Sequence, residues 1–197
     1  MKIKMAGLGI IMIFFSLLPA YAGAPLSTVQ ANVDKVLDVL RDPALKGDSA
    51  KVAKKDKLRS IYGSMFDEVE LSKRTLARNW NKLNTAQRQE FVQLYQEVLE
   101  KAYVDKILSY TNEKITYEKE IKLTENQVEV QTHVITSSNK IPIFYRVILS
   151  SGTWKVYDVI VENVSLVQNY RTQFNNILEK NTPEQLLEIL RKKVKAH

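Results

Sequence analysis

The amino-acid sequence predicts an α+β domain in which a curved, four-stranded antiparallel meander is wrapped by about six helices. Three observations predict this class. Apolar residues recur with helical spacing from Val29 to Ile107, alternate with polar residues from Ile115 to Val161, and return to helical spacing after Val164. Only a few turn residues separate the alternating runs, which antiparallel strands allow and parallel strands do not. A chain of 197 residues with 45% hydrophobic and 26% charged residues is typical of a globular protein.

The N-terminus carries the pattern of a secretory signal peptide. Two lysines among the first four residues precede an uncharged apolar run over residues 5–18, and Ala20 and Ala22 fit a signal-peptidase site. We expect cleavage after Ala22, so that residues 1–22 form the signal peptide and residues 23–197 a single exported domain. An uncleaved membrane anchor is the alternative, although the apolar run is short for a spanning helix, which needs about 20 residues.

Four helices are predicted before the strands. Their apolar residues follow helical spacing over residues 29–40, 58–66, 69–80 and 91–107. The first helix begins after Pro25 and ends near Asp42, and the second follows a polar, lysine-rich stretch. Asn84 or Thr85 caps the fourth helix, whose apolar stripe extends over more than four turns and is the clearest helical pattern in the chain.

Four strands are predicted next, with short turns between them. They cover residues 115–123, 128–134, 143–149 and 157–161. The third and fourth also carry apolar residues on their second face, Trp154 and Val156 among them, so we expect both sides of that part of the sheet to be covered. A helix then starts at Val164, with Asn181 as a left-handed stop, and a Thr-Pro pair at residues 182–183 opens the last helix.

The composition excludes most catalytic and metal chemistry. The chain has no cysteine, which excludes disulfides, thiolate metal sites and cysteine nucleophiles. It has two histidines, His133 and His197, which are few for a metal centre or a histidine-based catalytic triad. Tyr157 and Asp158 could supply a proton donor and a base, but neighbouring residues in a strand point to opposite faces. We therefore predict no catalytic residue, no metal site and no cofactor.

The net charge of +7 has two interpretations. Basic residues cluster in two segments: Lys51, Lys54, Lys55, Lys57 and Arg59, and residues 191–195. Both segments could make transient contact with anionic headgroups at a membrane surface, or both could be solvated helix faces. Nucleic acid is not an expected partner, because an exported protein without interleaved aromatic and basic residues on the outer face of its sheet offers no surface for it.

A long motif lies across the last two strands and the helix that follows. Residues 142–174 read PIFYRVILSSGTWKVYDVIVENVSLVQNYRTQF, residues 76–80 read LARNW, and residues 87–91 read QRQEF, with Tyr103 beyond them. Together with the signal peptide and the terminal helix, these segments resemble the periplasmic phospholipid-binding MlaC family, also known as toluene-tolerance auxiliary proteins. The chain departs from the family pattern at Asn163 and Asn181, where glycine is expected; asparagine tolerates the left-handed conformation better than most residues.

The resemblance implies a soluble phospholipid shuttle in the periplasm of a Gram-negative envelope, without enzymatic activity. As a monomer, it would exchange lipid with the lipid-binding subunit of an inner-membrane ABC transporter and with an outer-membrane lipoprotein–porin complex. The fold implied is a cone similar to nuclear transport factor, with acyl chains in an apolar internal cavity and the headgroup near solvent. The alternatives are a carrier of another apolar molecule, such as a hopanoid or a quinone, and, more distantly, an isomerase or hydrolase on the same fold.

Fourteen apolar and aromatic residues are the candidates for lining that cavity. They come from the sheet and from the helices on either side of it in the chain: Trp80, Phe91, Tyr95, Leu99, Tyr103, Val134, Tyr145, Val147, Leu149, Tyr157, Val159, Val161, Tyr170 and Phe174. Burying acyl chains gains about 0.8 kcal/mol per CH₂ group, so a carrier needs a dry, apolar slot. The alternative is that these residues fill a close-packed core, since an apolar pattern reports burial and not an internal space.

Overall fold

The structure is a computed structural model that describes residues 25–110 and 113–196. The predicted signal peptide and its cleavage after Ala22 lie outside these residues. The described helices and strands are α1 (Pro25–Arg41), α2 (Lys51–Met65), α3 (Glu68–Leu76), α4 (Thr85–Leu108), β1 (Lys114–Thr124), β2 (Gln127–Ile135), β3 (Lys140–Ser150), β4 (Thr153–Val161), β5 (Val164–Ser165), α5 (Leu166–Leu178) and α6 (Pro183–Lys195). Short 3₁₀ helices lie between α1 and α2 and between α3 and α4.

The α+β class and the antiparallel meander are confirmed, but the prediction of four strands is wrong by one. The five strands pair in the order β1-β2-β3-β4-β5, so neighbours in the sheet are also neighbours in the chain. The additional strand, β5, pairs with β4 across a tight turn at Glu162 and Asn163, whose φ angles are 49° and 68°. A strand of two residues carries no alternating pattern, so the sequence pattern alone places Val164 in the following helix.

The ends of the helices follow local signals, most of which are visible in the sequence. Asn84 caps α4 and Thr182 caps α6, each in a reciprocal capping box with a glutamine three residues later. The predicted left-handed stop at Asn181 is wrong. Asn181 has no positive φ angle, and its side-chain amide donates instead to the carbonyl oxygen of Ile177 at 2.8 Å. The side chain thus adds a second hydrogen bond to a carbonyl at the end of α5 that also accepts from the Lys180 backbone N–H at 3.1 Å.

A shift in strand pairing reverses the two faces of β1. Residues directly opposite one another in antiparallel strands share a face. Tyr117 pairs with Thr132, but the next pair joins Lys119 to Gln131, so one residue of β1 is extra. Beyond this β-bulge Ile121 lies on the opposite face from Tyr117, where 36% of its surface is exposed. The strict alternation predicted for this strand is therefore wrong after its first half.

Buried apolar side chains form two clusters. The helical cluster joins α3, α4, α5 and α6, and the sheet cluster joins α1 and the end of α2 to one face of β2, β3 and β4. Phe66, which directly follows α2, packs against both clusters. Its neighbour Asp67 donates its backbone N–H to the carbonyl oxygen of Val156 at 2.9 Å, which ties the start of α3 to β4. The described residues thus form two apolar cores that meet at Phe66.

Ala77 ends α3 in a backbone conformation that side chains rarely adopt, with φ at 49° and ψ at −124°. Such a residue costs about 1–3 kcal/mol, which glycine relieves because it has no Cβ atom. Replacing Ala77 with glycine is therefore expected to raise the free energy of unfolding by about 1 kcal/mol, measured by urea denaturation. The matched control is Ala102→Gly at an exposed position inside α4, which should lower that free energy by about 1 kcal/mol. Similar losses in both variants would contradict the strain assigned to Ala77.

Candidate functional site

One face of the sheet, which we call the inner face, packs against α1. Strand register places these apolar side chains on it: Ile115, Tyr117, Val128, Val130, Val134, Ile141, Ile143, Tyr145, Val147, Leu149, Trp154, Val156, Val159 and Val161. Helix α1 contributes Val29, Val33 and Leu37 to the sheet cluster, and Met65 of α2 joins them. The inner face is thus a broad apolar surface that draws on four strands.

The helices cover the inner face unevenly. Five of its residues are buried in the sheet cluster: Val128, Val130, Val147, Trp154 and Val156. The face then continues into four partly exposed apolar residues that belong to neither cluster, which we call the open strip: Val134, Ile141, Ile143 and Val161. Apolar side chains that line up with a buried face but stay partly exposed mark a surface able to take an apolar ligand.

The structure does not bring the fourteen candidate residues together at one site. Six lie on the inner face: Val134, Tyr145, Val147, Leu149, Val159 and Val161. Seven lie in or against the helical cluster: Trp80, Phe91, Tyr95, Leu99, Tyr103, Tyr170 and Phe174. Tyr157 lies on the opposite, outer face of the sheet, where its hydroxyl meets Gln127. The candidate set therefore divides between two cores and the outer face.

The helical cluster is packed around aromatic rings. The ring centres of Phe91 and Phe174 are 5.5 Å apart, edge to face, and those of Tyr95 and Tyr170 are 5.2 Å apart. The buried hydroxyl of Tyr95 accepts a hydrogen bond from Thr75 at 3.4 Å. Burial raises the pKa of Tyr95, so its hydroxyl stays protonated at neutral pH. Aromatic rings packed edge to face, with the buried tyrosine hydroxyl hydrogen-bonded, are typical of a close-packed core without an internal space.

A second β-bulge places Tyr157 and Asp158 on the same face, which contradicts the expectation from strict alternation. The pairing of β3 with β4 shifts by one residue at this point, so Tyr157 is extra. Asp158 pairs with Arg146 on the outer face, and the Tyr157 hydroxyl donates to Gln127 at 3.1 Å on that same face. The bulge also places Trp154 and Val156 on the inner face, whereas the sequence pattern assigns both residues to the second face.

Asp158 fastens the start of α5 to the sheet. Its carboxylate accepts hydrogen bonds from the Ser165 hydroxyl at 2.7 Å and from the Val167 backbone N–H at 3.1 Å. It also lies 3.7 Å from the guanidinium of Arg146, which donates to Glu129 at 3.0 Å. Burial raises the pKa of the Asp158 carboxyl, and the hydrogen bonds from Ser165 and Val167 oppose that shift. The carboxylate is therefore engaged in holding a helix.

Two arginines extend this attachment to α3. The guanidinium of Arg171 donates to the carbonyl oxygen of Arg74 at 2.7 and 3.0 Å, which joins α5 to α3. The guanidinium of Arg74 stacks over the Tyr157 ring at 3.9 Å and donates to Glu70 at 2.7 Å. The motif residues Tyr157, Asp158 and Arg171 thus lie in one structural network on the outer face, away from α1.

Eight of the fourteen inner-face residues are missing from the candidates taken from the sequence: Ile115, Tyr117, Val128, Val130, Ile141, Ile143, Trp154 and Val156. Tyr117 alternates with polar neighbours, and Ile143 continues the apolar strand face of Tyr145. The strand pattern itself could therefore have identified both residues. Trp154 offers no such signal, because the β-bulge at Tyr157 reverses its position relative to the rest of β4. A bulge depends on the pairing of two strands, which a single strand's alternation does not report.

Two surface depressions of about 410 and 350 Å³ lie between α1 and α2. Both are open to solvent, and six of the nine residues that line them are charged or polar: Lys35, Asp38, Val39, Arg41, Asp42, Pro43, Lys57, Ser60 and Ile61. Neither offers the dry apolar walls that acyl chains require, so the apolar internal cavity stays a prediction. Across residues 25–110 and 113–196, no three acidic or histidine side chains are grouped to hold a metal ion. None of the helices in these two ranges combines the length and hydropathy of a membrane span.

The fold and its inner face define an α+β protein with an open antiparallel sheet and an incompletely covered apolar surface. The family described as MlaC protein matches residues 30–192, which is most of the chain. The chain therefore belongs to the MlaC protein family, in agreement with the motifs in its sequence.

Two known proteins are similar to this chain. The toluene tolerance protein ttg2D of Pseudomonas putida is 26% identical over 177 residues, which cover 89% of this chain and 82% of that protein. A phospholipid-binding protein from Ralstonia solanacearum, whose structure was solved in complex with a phospholipid, matches with a TM-score of 0.79 at 22% identity. That match covers 88% of this chain and 98% of the other, so the fold is shared over nearly its whole extent.

Proposed function

We propose that the protein is a periplasmic phospholipid carrier that buries acyl chains against the inner face of its sheet. The observation that carries the proposal is the open strip, where apolar side chains stay partly exposed in line with a buried apolar face. Membership of the MlaC family and a fold shared with a protein solved in complex with a phospholipid support this choice of ligand. Two chains of about 16 carbons would gain roughly 20–25 kcal/mol on burial, which makes an apolar slot sufficient for binding.

Helix α1 is the element that would move to admit the chains. It contacts the sheet cluster through an apolar stripe of Val29, Val33 and Leu37, which acyl chains can replace without leaving polar groups unpaired. One polar contact to the sheet is the backbone N–H of Leu26, which donates to Glu120 at 2.6 Å. The helical cluster, with its interlocked rings, would stay rigid while α1 and the inner face separate around the lipid.

The carrier would work between two membranes without a chemical step. The family resemblance supports exchange with the lipid-binding subunit of an inner-membrane ABC transporter and with an outer-membrane lipoprotein–porin complex. The protein would act as a monomer after removal of residues 1–22. Transfer requires only that the lipid partitions between two apolar sites, so no acid, base or cofactor is needed. Tyr157 and Asp158 are engaged in holding α3 and α5, which fits this account.

The test is to purify residues 23–197 without detergent and to identify bound lipid by organic extraction and mass spectrometry. We expect close to one phospholipid molecule per protein, together with uptake from liposomes by protein stripped of lipid. Recovery of a hopanoid or a quinone in that stoichiometry would overturn the phospholipid assignment but keep the carrier. No recovered lipid and no uptake from liposomes would refute the carrier function altogether.

The lysines at the start of α2 support a transient contact with an anionic membrane surface. Lys51, Lys54 and Lys55 have no ion-pair partner among the described residues, and Val52 beside them is 70% exposed. The helix begins without a side-chain cap or an acidic residue in its first turn, although its positive dipole end favours acids there. The basic residues of α6 lie at the favourable C-terminal end and are partly paired, as Arg191 is with Glu90 and Glu184.

Replacing Lys51, Lys54 and Lys55 together with glutamine is expected to weaken binding to vesicles rich in anionic lipid by about a hundredfold, since each lysine near such a surface contributes about 1 kcal/mol. Vesicle flotation measures the affinity of each variant for these vesicles. Because the substitutions remove charges that oppose the helix dipole, the melting temperature should not fall. The matched control replaces Lys192, Lys193 and Lys195 of α6 and should leave vesicle binding nearly unchanged. Equal losses in both variants would mean that only net charge matters.

A further inference from the structure

The inner face reaches the protein surface at one end of the sheet. At this end β1 and β3 begin and β2 and β4 end, and every residue of the open strip lies within the first or last four residues of its strand. Val164 of β5 lies directly opposite Val161, so it shares the inner face, and it is 56% exposed. The open strip therefore continues into an exposed apolar residue. We call the end of the molecule formed by the open strip and Val164 the open end.

Helix α1 runs along β1 toward the open end. Near its start, the Leu26 backbone N–H donates to Glu120 in the second half of β1. At its other end, the guanidinium of Arg41 donates to the Tyr110 hydroxyl at 2.6 Å. That hydroxyl in turn donates at 2.5 Å to the carbonyl oxygen of Glu113, the residue directly before β1. The C-terminal end of α1 therefore lies where β1 begins, which is the open end.

Helix α2 runs back in the opposite direction, so it begins at the open end. Lys57 of α2 forms an ion pair at 3.7 Å with Asp42, which directly follows α1. Phe66, which directly follows α2, pairs with Val156, five residues before the end of β4. Because an α-helix rises 1.5 Å per residue, Lys51 lies about 9 Å beyond Lys57 along the axis, away from Val156. The first turn of α2 thus extends past the end of α1 at the open end.

The open end combines positive charge with exposed apolar side chains. Lys51, Lys54 and Lys55 have no ion-pair partner among the described residues, and Val52 between them is 70% exposed. This combination suits an anionic bilayer, where lysines meet lipid phosphates and apolar side chains enter the boundary with the acyl chains. An acidic protein would satisfy the lysines alone. A bilayer also accounts for an apolar strip that runs from a buried face out to Val164.

We propose that the open end, together with the first turn of α2, docks on an anionic membrane surface and that phospholipid passes there directly between the bilayer and the inner face. The inference rests on the proposed carrier function and adds to it the place where the lipid enters. An acyl chain that crosses water loses the favourable burial of every CH₂ group. Contact between the bilayer and the open strip removes this barrier, because the chain moves from one apolar surface to the other.

The test measures the initial rate at which lipid-free residues 23–197 take up a fluorescent phospholipid from vesicles. Wild-type protein should take it up at least about tenfold faster from vesicles rich in phosphatidylglycerol than from vesicles of phosphatidylcholine. Replacing Lys51, Lys54 and Lys55 together with glutamine should remove this preference. The same variant should bind a short-chain phosphatidylcholine, dissolved as monomers, within about twofold of the wild-type affinity, because that lipid needs no docking.

A second variant tests the apolar part of the open end. Val164→Glu should slow uptake from phosphatidylglycerol vesicles by at least about tenfold, because an unpaired carboxylate is costly to bring against hydrocarbon. The matched control is Val69→Glu, since Val69 is also 56% exposed but lies in the first turn of α3, which Asp67 attaches to β4 at Val156. A glutamate is favourable in the first turn of a helix, so this control should fold and keep the wild-type rate.

Equal wild-type uptake from both kinds of vesicle would overturn the inference and keep the carrier. Wild-type rates in both the lysine variant and Val164→Glu would overturn the membrane as the partner of the open end. Equal slowing by Val164→Glu and Val69→Glu would also overturn it, because added negative charge alone would then explain the loss. If the wild-type protein neither binds monomeric lipid nor takes up lipid from any vesicle, the proposed function itself is refuted, so the two failures are distinguishable.

Discussion

Replacing Ile143 with glutamate is expected to lower the affinity for phospholipid by at least about a hundredfold while leaving the protein folded. Ile143 lies in the open strip and is partly exposed, so the new carboxylate stays hydrated when no lipid is bound. Acyl chains laid on the inner face would strip that water, and an unpaired carboxylate against hydrocarbon costs several kcal/mol. Equilibrium titration with a fluorescent phospholipid measures the affinity, and circular dichroism checks the fold.

The matched control for that variant is Ile121→Glu. Ile121 is also an isoleucine in a strand and is 36% exposed, but the β-bulge in β1 turns it to the outer face. Its replacement should leave lipid affinity within about twofold of the wild-type value, since surface substitutions of this kind are nearly neutral. A loss at Ile121 equal to that at Ile143 would contradict both the assigned face and the location of the lipid.

Replacing Asp158 with alanine is expected to lower the free energy of unfolding by about 3 kcal/mol. The side chain is 2% exposed, and its removal leaves the Val167 backbone N–H and the Ser165 hydroxyl without their acceptor. It also removes one of the two carboxylates, with that of Glu129, that lie within 4 Å of the Arg146 guanidinium. Urea denaturation of the wild-type protein and the variant measures the difference in the free energy of unfolding. A change below about 0.5 kcal/mol, typical of a neutral surface site, would contradict the role assigned to Asp158.

The pH dependence of the Asp158→Asn variant separates hydrogen bonding from charge. Because burial raises the pKa of Asp158, the folded protein binds this proton more tightly than the unfolded chain does. The stabilising contribution of the carboxyl is therefore complete below its ordinary pKa and declines as the pH rises through the raised value. Asparagine keeps an acceptor and does not titrate, so wild-type stability should fall relative to the variant as the pH rises from about 3 to about 7. The opposite trend would contradict the direction of the shift.

Much of the fold can be predicted because helices and long strands are recorded in local periodicity. Helix α4, with its Asn84 capping box, is a clear case, since Phe91, Tyr95, Val98 and Leu99 recur at helical spacing and are all buried. The faces of β1 and β4 could not be predicted in full. One extra residue at Glu118 in β1 and one at Tyr157 in β4 reverse the alternation, which places Ile121 on the outer face and Trp154 on the inner face. Such a bulge is decided by pairing with the neighbouring strand.

The candidate site was predictable only in part, for a related reason. Apolar periodicity reports that Phe91 and Val147 are both buried, and each is at most 1% exposed. It does not report that Phe91 lies in the helical cluster and Val147 in the sheet cluster, because that depends on which elements meet. The open strip was equally hidden, since the apolar pattern of β3 does not report that Ile141 stays partly exposed while Val147 on the same face is buried. Local periodicity predicts that a residue is buried, but it does not predict which elements cover a given face of the sheet.

Photo-crosslinking tests the location of the lipid most directly. A phospholipid with a diazirine in one acyl chain is bound to the protein, irradiated, and mapped by peptide mass spectrometry. Labels are expected in β3, β4 and α1, in peptides that contain Ile143, Val159 or Val33. Labels confined to α4, α5 and α6, around Tyr95 and Phe174, would show that the chains enter the helical cluster and would contradict the inner face as the site.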